Sequence, residues 1–228
     1  MRPCDTHPSD CPPFEYESHP TRGTEVPRRV ALIVATLFGQ RMDTLAAASD
    51  TRSVHGTLFD GLTPPGHPYF AGHYRGESYR CLQRYQVRAG DRRCCPPHRV
   101  PMRMADLGSS IEQALAALDA GHASRVDVSA ADKLHHIVRV ACCFFELICR
   151  VHPYANGNGH AARFCLWAIL TRYGYFPRNW PIDPRPQETL YTDLLLQHRA
   201  GKPEGLEQHI LECLTPIRES GSPSTPSS

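Results

Sequence analysis

The sequence lacks the patterns expected of a membrane-spanning or secreted chain. Its longest apolar run, Val140 to Ile148, is interrupted by Glu146 and is too short to cross a bilayer. The first residues are polar and rich in proline, without the apolar stretch of a secretory signal peptide. These absences argue against a transmembrane protein, and we expect a soluble cytoplasmic protein that binds no membrane.

Lysine is nearly absent, and the cysteines lack a recognisable spacing. Two lysines, Lys133 and Lys202, stand among 25 basic residues, and a formal net charge of +2 argues against nucleic acid as a partner. The ten cysteines show no C-x-x-C pattern, and several fall inside apolar helical runs, which favours buried free thiols over a disulfide framework. No Gly-Lys-Ser/Thr sequence is present, which excludes a P-loop.

Length and composition predict one folded domain with polar ends. A chain of 228 residues that is 41% hydrophobic and 21% charged is long enough for one sizeable core. Residues 1–29 are rich in proline, serine and acidic residues and predict a disordered arm, and residues 217–228 predict a disordered tail rich in serine and proline. The folded domain is therefore expected over residues 30–216.

Hydrophobic periodicity predicts a helical bundle with one small hairpin. Ser129 begins a capping pattern, and the helix that follows carries one apolar face through Ile148. A small hairpin is predicted between Ser78 and Val100, with loose alternation over Tyr79–Val87 and turn residues at Ala89–Asp91, and an exposed loop is the alternative. The expected fold class is all-α. The other predicted helices are residues 30–48, as one helix or a pair, 104–119, 161–173, 189–200 and 205–214.

The most informative stretch runs from His152 to Arg163 and reads HPYANGNGHAAR. Gly157 and Gly159 allow the backbone to turn its N–H groups toward one point, and the helix predicted to start there brings its positive end to the same point. Arg163 can bind a phosphate oxygen, and His152 can accept a proton near neutral pH. The combination predicts transfer of a nucleotide phosphate to a hydroxyl. The simpler alternatives are a helix-entry turn, a capping histidine and a surface ion pair of Arg163.

This stretch resembles the motif of the Fic family, which reads His-Pro-Phe-x-Asp/Glu-Gly-Asn-Gly-Arg-x-x-Arg. Two positions depart from it: Asn156 stands where the family has a carboxylate for Mg²⁺, and His160 stands where it has the first of two arginines. Upstream, residues 71–75 resemble the family's Ala-Gly-x-x-Arg segment. The positions that agree are His152, Pro153, Gly157, Asn158, Gly159 and Arg163, with Tyr154 as a conservative aromatic change.

The resemblance implies a Fic-type helical bundle and a protein adenylyltransferase that moves AMP from ATP, with Mg²⁺, to a hydroxyl of a target protein. His152 would be the catalytic base and Asn156 the metal ligand. The target would dock at the flap, residues 79–100, by pairing with the hairpin. The nucleotide would be bound by Gly157, Asn158, Gly159, His160, Arg163 and Tyr191.

The family's inhibitory helix has no convincing match in the chain. The segments Thr21–Val26 and Thr215–Ser220 share its spacing, but each lacks the final glycine or asparagine and holds a helix breaker. A separate antitoxin-like inhibitory protein is therefore the expected regulator.

Alternatives stay open on the sequence alone. The same fold supports a phosphotransferase or a phosphocholine transferase, depending on how the nucleotide lies, and labelled products distinguish these reactions from AMP transfer. A catalytically degenerate binding module is a further possibility, because a neutral Asn156 binds a dication weakly and His160 is only partly charged at neutral pH. Such a module would use the nucleotide or the arginines of the flap for recognition.

Overall fold

The computed structural model describes residues 10–89, 92–123 and 128–216, and this part of the chain is mostly helical. Two pairs of very short strands accompany its eight α-helices. The predicted all-α fold class is confirmed. The helices are α1 (Arg22–Phe38), α2 (Thr44–Ser49), α3 (Arg52–Phe59), α4 (Val100–Ala123), α5 (Ala130–Val151), α6 (Asn158–Arg172), α7 (Glu188–Arg199) and α8 (Glu204–Cys213).

Helix α6 forms the centre of the bundle. It contacts α1, α2, α3 and α5, and every side chain from His160 to Thr171 is buried. Burial on all sides is typical of a central helix rather than of an amphipathic surface helix. Its first turn follows directly on residues 152–157, called the motif loop below, so the core fixes one end of this loop.

Helix α5 brings the chain to the motif loop. Ser129 caps its start by accepting a hydrogen bond from the Asp132 amide, as the capping pattern predicted. The buried face of α5 packs against α4, α6 and α8. The helix ends at Val151, and His152 adopts a left-handed conformation with φ of 51°. The break follows from Pro153, because a proline disfavours helical backbone at the residue before it.

The folded body begins earlier than residue 30. Helix α1 starts at Arg22, and its inner face includes the fully buried Val26. The boundary expected at residue 30 is therefore wrong, because the apolar period of α1 extends back into a segment whose composition is polar. Residues 1–9 of the predicted arm lie outside the described part of the chain.

Residues 10–18, called the strap below, also pack on the body instead of belonging to a disordered arm. Phe14 and Tyr16 are buried among aromatic side chains of the core. A disulfide joins Cys11 to Cys81, which corrects the expectation of free thiols for this pair. Burial of these aromatic side chains thus holds the strap on the folded body, although the polar composition of this stretch predicted a disordered arm. The other described cysteines are free, namely Cys94, Cys95, Cys142, Cys143, Cys149, Cys165 and Cys213.

The predicted hairpin is present, but its first strand lies later in the chain than expected. Strand β1 (Arg88–Ala89) pairs antiparallel with β2 (Arg92–Arg93). The segment predicted as a strand, Tyr79–Val87, instead holds a short 3-10 helix at Leu82–Arg84. The loose alternation of that segment reflects a few side chains that anchor it to the core. Turn residues 90–91 lie outside the described part of the chain.

A second strand pair closes the fold near its C-terminal end. Strand β3 (Tyr175–Pro177) pairs antiparallel with β4 (Leu214–Pro216). Strands of three residues carry too little alternation to be predicted from sequence. The tail predicted over residues 217–228 lies outside the described part of the chain. None of the described helices combines the length and the apolar character needed to cross a membrane.

Candidate functional site

The motif loop is held by side chains on both sides of Tyr154. Asn158, the first residue of α6, accepts a hydrogen bond from the Tyr154 amide at 2.8 Å and donates one to the Tyr154 carbonyl at 3.0 Å. The Tyr154 hydroxyl lies 2.7 Å from Thr51 Oγ1, and its ring stacks on His55. The Asn158 side chain, predicted to bind nucleotide, is thus engaged by the loop itself, and only the backbone amide of this residue is left for a ligand.

His152 stands at the junction of α5 and the motif loop, with its side chain partly buried. Its Nδ1 contacts the Cys149 carbonyl, which can only accept a hydrogen bond, so the ring carries its hydrogen on Nδ1 and leaves Nε2 unprotonated. Burial lowers the pKa of His152 to about 4, and the cations Arg75 and Arg199 act in the same direction. The imidazole is therefore neutral at physiological pH, as a general base requires.

Arg75 positions His152 through the backbone. Its fully buried guanidinium donates to the His152 carbonyl from Nε at 2.8 Å and from Nη2 at 2.5 Å. The Arg75 amide donates to the Pro153 carbonyl at 2.8 Å. Nη1 also donates to the Tyr85 carbonyl and Nη2 to the Cys95 carbonyl, each at 3.0 Å. One side chain therefore joins the candidate base to both sides of the hairpin.

The first turn of α6 has the properties of an anion site. Gly157 adopts a left-handed conformation with φ of 74°, and its carbonyl accepts from the amides of His160 and Ala161. The amides of Asn158 and Gly159 make no hydrogen bond to any residue that the structure describes. Unpaired amides at a helix N-terminus attract anions, because the helix dipole adds to the N–H groups.

Arg163 brings a buried cation to this turn. The residue is 2% exposed, and its Nε donates to the Ile182 carbonyl at 2.9 Å. Nη1 and Nη2, in contrast, have no hydrogen-bond acceptor within the described part of the chain. A Cβ added to Gly159 would stand 2.9 Å from Nη1, so the guanidinium lies next to this glycine. An anionic ligand would satisfy the buried guanidinium.

Tyr191 reaches the site as a support for Arg163. Its ring centroid lies 5.9 Å from the Arg163 Cζ atom, and the ring stacks on Trp180. The Tyr191 hydroxyl contacts Cys149 Sγ at 3.7 Å, and burial raises the pKa of this hydroxyl. The structure therefore brings Tyr191 together with the predicted phosphate site, on the side of the arginine.

His160 is engaged in a different set of contacts from those predicted. Its Nε2 lies 2.9 Å from Asp183 Oδ1, and its Nδ1 lies 3.5 Å from the Tyr16 hydroxyl. Burial lowers the pKa of His160, although Asp183 acts in the opposite direction. Arg22 binds the same carboxylate at 2.6 Å. His160 thus joins α6 to the strap and to α1, and a phosphate contact would require it to leave these partners.

Asn156, predicted as a metal ligand, is engaged through both ends of its side-chain amide. Oδ1 accepts from the Gly157 amide at 2.7 Å, and Nδ2 donates to the Phe14 carbonyl at 2.8 Å and to the Glu17 carboxylate at 2.9 Å. Within the described residues, no group of three or more His, Cys, Asp or Glu side chains could hold a metal ion. This arrangement does not fit Mg²⁺ held by protein ligands.

Several residues of the site have no distinct signal in the sequence. His55 donates from Nε2 to the Asn156 carbonyl at 2.9 Å and accepts at Nδ1 from the Gly72 amide at 3.0 Å. Nothing in the local sequence separates this histidine from the others. Arg75 falls in the Ala-Gly-x-x-Arg segment, which marks its place but not its role. The aromatic Tyr16 in a proline-rich stretch is a signal that could have identified the strap.

Solved structures of other proteins share the fold of this chain. Among solved structures, the chain is similar to the BepC protein, a VirB-translocated effector of Bartonella tribocorum with bound AMPPNP. The identity is 15% and the TM-score 0.56, over 86% of this chain and 89% of that chain. It is also similar to the N-terminal Fic domain of a VirB-translocated Bep effector of Bartonella quintana with bound ADP. Here the identity is 16% and the TM-score 0.53, over 84% of this chain and 85% of that chain.

A family model gives the most specific match. No curated protein sequence matches the chain. The model of the Fic/DOC family matches residues 46–170, which is more than half of the chain and includes the motif loop and the first turn of α6. The protein belongs to the Fic/DOC family.

Proposed function

We propose that the protein is a nucleotidyltransferase that moves AMP from ATP to a serine, threonine or tyrosine hydroxyl of a target protein. The observation that carries this proposal is the buried guanidinium of Arg163, whose two free nitrogens accompany the unpaired amides of Asn158 and Gly159. These groups would bind the phosphates of the nucleotide. The adjoining motif loop begins with His152, so a phosphate site and a base lie on one short stretch of chain.

In the proposed reaction, the hydroxyl oxygen of the target attacks the α-phosphorus of the nucleotide. A new oxygen–phosphorus bond forms while the bond from the α-phosphorus to the α–β bridging oxygen breaks, and pyrophosphate leaves. The hydroxyl proton moves to Nε2 of His152, which the Nδ1 contact with Cys149 leaves free to accept it. Arg163 and the α6 amides would stabilise the charge that develops on the phosphate oxygens.

The choice of ATP as donor is part of the proposal. BepC and the Bep domain hold AMPPNP and ADP. At 15% and 16% identity these likenesses establish the fold alone. Mg²⁺ commonly binds nucleotides through phosphate oxygens and water, with one or two protein carboxylates. Such an ion would need no ligand from Asn156, whose Oδ1 accepts from Gly157.

Target docking is proposed at the flap, residues 79–100. The strands β1 and β2 form a short hairpin there, to which an extended target segment could add a strand. Arg75 binds the carbonyls of Tyr85 and Cys95 on the two sides of the hairpin and also the carbonyl of His152. A segment paired with the hairpin would therefore lie close to the base.

Regulation by a separate antitoxin-like protein is also part of the proposal. Glu25, in the first segment whose spacing resembles an inhibitory helix, pairs with Arg28 at 2.8 Å and Arg29 at 3.1 Å within α1. The second segment runs from Thr215 into residues 217–220, which lie outside the described part of the chain. Neither observation supports an internal inhibitor.

The position of a radioactive label tests the proposed reaction. The protein is incubated with a cell extract and ATP labelled at either the α- or the γ-phosphorus, and label on protein is counted beside an intact-mass measurement. We expect retention of the α-label with a mass gain of one AMP, and loss of both in His152→Ala.

The alternative reactions give different products in the same experiment. Retention of the γ-label would indicate a phosphotransferase. A mass gain of phosphocholine from a cytidine diphosphate choline donor would indicate a phosphocholine transferase. Absence of label from every donor, with nucleotide binding intact, would overturn the proposal in favour of a binding module.

A further inference from the structure

Basic residues are concentrated in and around the flap. Residues 79–103 contain seven of the 25 basic residues but only one of the 23 acidic residues, which gives this stretch a formal net charge of +6. The rest of the chain therefore carries a formal net charge of −4. The small overall charge of the protein conceals a separation between a basic flap and an acidic body.

Three arginines of this stretch, called the arginine patch below, stand on adjoining elements. Arg84 ends the short 3-10 helix at Leu82–Arg84, which packs against a second short helix at Pro97–Arg99. Arg99 ends that second helix, and Arg103 follows one helical turn later in α4. Arg84 and Arg99 thus stand on neighbouring elements, and Arg99 and Arg103 are neighbours along one helical path.

The arginine patch is exposed and unpaired. All three side chains, those of Arg84, Arg99 and Arg103, are exposed to solvent. Their guanidinium groups take part in no hydrogen bond or ion pair with any described residue. In contrast, Arg80 in the same stretch pairs with Asp10 of the strap at 2.5 Å, and Arg52 pairs with Asp50 at 2.6 Å. Exposed cations on neighbouring elements, without counter-charges, favour a partner that brings carboxylates.

The arginine patch is connected to the candidate base. Arg84 directly precedes Tyr85, and Arg99 follows Cys95 by four residues. Tyr85 and Cys95 are the two residues whose carbonyls Arg75 joins to the His152 carbonyl. A peptide that binds the arginine patch is therefore held against the same framework that positions the base.

We propose that the arginine patch selects target proteins whose modified hydroxyl lies in an acidic segment, with carboxylates binding Arg84, Arg99 and Arg103. This inference rests on the proposed function, since it describes the substrate of the same site. A peptide is favoured over nucleic acid, because the net charge of −4 on the rest of the chain repels a long polyanion, whereas a short acidic segment is confined to the flap.

Peptide binding tests the proposal without requiring any transfer. Three fluorescent serine-containing peptides of equal length, one acidic, one neutral and one basic, are titrated with the full chain at low and at physiological salt, and anisotropy gives the dissociation constants. The variant carries Arg84→Gln, Arg99→Gln and Arg103→Gln. Its control carries the same change at three exposed arginines outside the arginine patch, Arg41, Arg139 and Arg178.

We expect the acidic peptide to bind about tenfold more tightly than the neutral one at low salt, and the difference to shrink as salt rises. The arginine-patch variant should lose this preference, and the control variant should keep it. Equal binding of all three peptides by the wild-type chain would overturn the proposal, as would equal losses in the two variants. Stronger competition by an oligonucleotide than by polyglutamate of equal charge would also overturn it.

These outcomes are distinguishable from failure of the proposed function. Preference for the acidic peptide without AMP transfer would support the peptide-binding inference and contradict the proposed transferase activity. Transfer of AMP with equal efficiency to acidic and neutral peptides would support the transferase activity and contradict the inference that acidic segments are selected.

Discussion

The start of the motif loop is held differently from its end and the adjoining first turn of α6. At His152 the contacts come from Arg75, which binds backbone carbonyls. At Asn156 and His160 they include the strap, which binds the two side chains through Phe14, Glu17 and Tyr16. A backbone contact makes no demand on the side chain that it positions, whereas a side-chain contact selects a residue type. The two positions at which the chain departs from the Fic pattern are the two that contact the strap.

This difference gives the departures a structural reason. The Asn156 amide donates to Glu17 at 2.9 Å, and a carboxylate in its place would lose that hydrogen bond and repel Glu17. The side chain of His160 is shorter than the arginine of the Fic pattern and fits between Tyr16 and Asp183. The strap lies outside residues 46–170, the range that matches the family model. Contacts with the strap therefore give both residues a structural role in this chain.

The largest expected effect is at the His152 end. His152→Ala should lower the rate of AMP transfer by about 100-fold or more, because a general base acts in the transition state. Nucleotide affinity and the unfolding midpoint should stay close to wild type. Transfer assays beside calorimetric titration with AMPPNP check this, and His135→Ala, an exposed histidine on α5, is the control. A fully active His152→Ala would remove the residue from the mechanism.

Substitutions of Gly157 and Gly159 should distinguish the residue that shapes the motif loop from the residue that borders the anion site. Gly157→Ala should destabilise the fold by about 2–4 kcal/mol, since its φ of 74° suits glycine and its Cβ would stand 2.3 Å from Phe59 Cε2. Gly159→Ala should leave stability nearly unchanged, because its Cβ meets only the far end of the long Arg163 side chain and no backbone atom. It should weaken AMPPNP binding about tenfold by displacing the guanidinium. Urea unfolding measures the stability of the two variants, and calorimetry measures their AMPPNP affinity. Equal losses of stability and of affinity in the two variants would contradict the distinction between the two glycines.

Arg75 should act on the rate and on its pH dependence. The pKa of His152 is lowered to about 4, so the neutral base, and with it the transfer rate, should persist as pH falls and be lost through about pH 4. An unperturbed imidazole would lose half of the rate at about pH 6.5. Arg75→Met removes a cation that lowers this pKa, so its acid limb should move to higher pH.

Arg75→Lys provides the control for charge. It keeps the cation but cannot reach the carbonyls of His152, Tyr85 and Cys95 together, so the acid limb should stay in place while the saturated rate falls about tenfold. AMPPNP affinity should be unchanged in both variants. A purely structural role would lower stability and leave the acid limb of both variants at the wild-type pH.

The smallest expected effect is at Asn156. Asn156→Asp should lower stability by about 1–2 kcal/mol, because it removes donors to Phe14 and Glu17 and places two carboxylates together. Adding Glu17→Gln should restore most of the loss, since an amide at position 17 can donate to the new carboxylate. Thermal unfolding of the two variants measures this coupling, and equal midpoints would show that the strap does not select the residue.

Much of the fold and the centre of the site are readable in the sequence. The long apolar period of α5, the Ser129 cap and the glycines at residues 157 and 159 are local signals. The structure contains the predicted helices α5 and α6, and the Arg163 guanidinium lies next to Gly159. These features depend on residues a few positions apart, which is why a sequence pattern contains them.

The contacts that join distant segments were not readable. Tyr16 meets His160 across 144 residues, and Asn156 meets Phe14 across 142 residues. A polar, proline-rich composition predicted an arm there, because composition reports the average of a stretch and not the few aromatic side chains that bury themselves. Partners of this kind are decided by tertiary packing alone.

The most direct test of the central claim, that Arg163 and the first turn of α6 bind the nucleotide while His152 acts only in transfer, is a calorimetric titration of Arg163→Gln with AMPPNP beside His152→Ala. We expect Arg163→Gln to lose affinity by about tenfold or more, since it loses charged hydrogen bonds to phosphate, and His152→Ala to bind within about twofold of wild type. Arg163→Gln that remains folded and binds AMPPNP as tightly as the wild-type chain would contradict the claim.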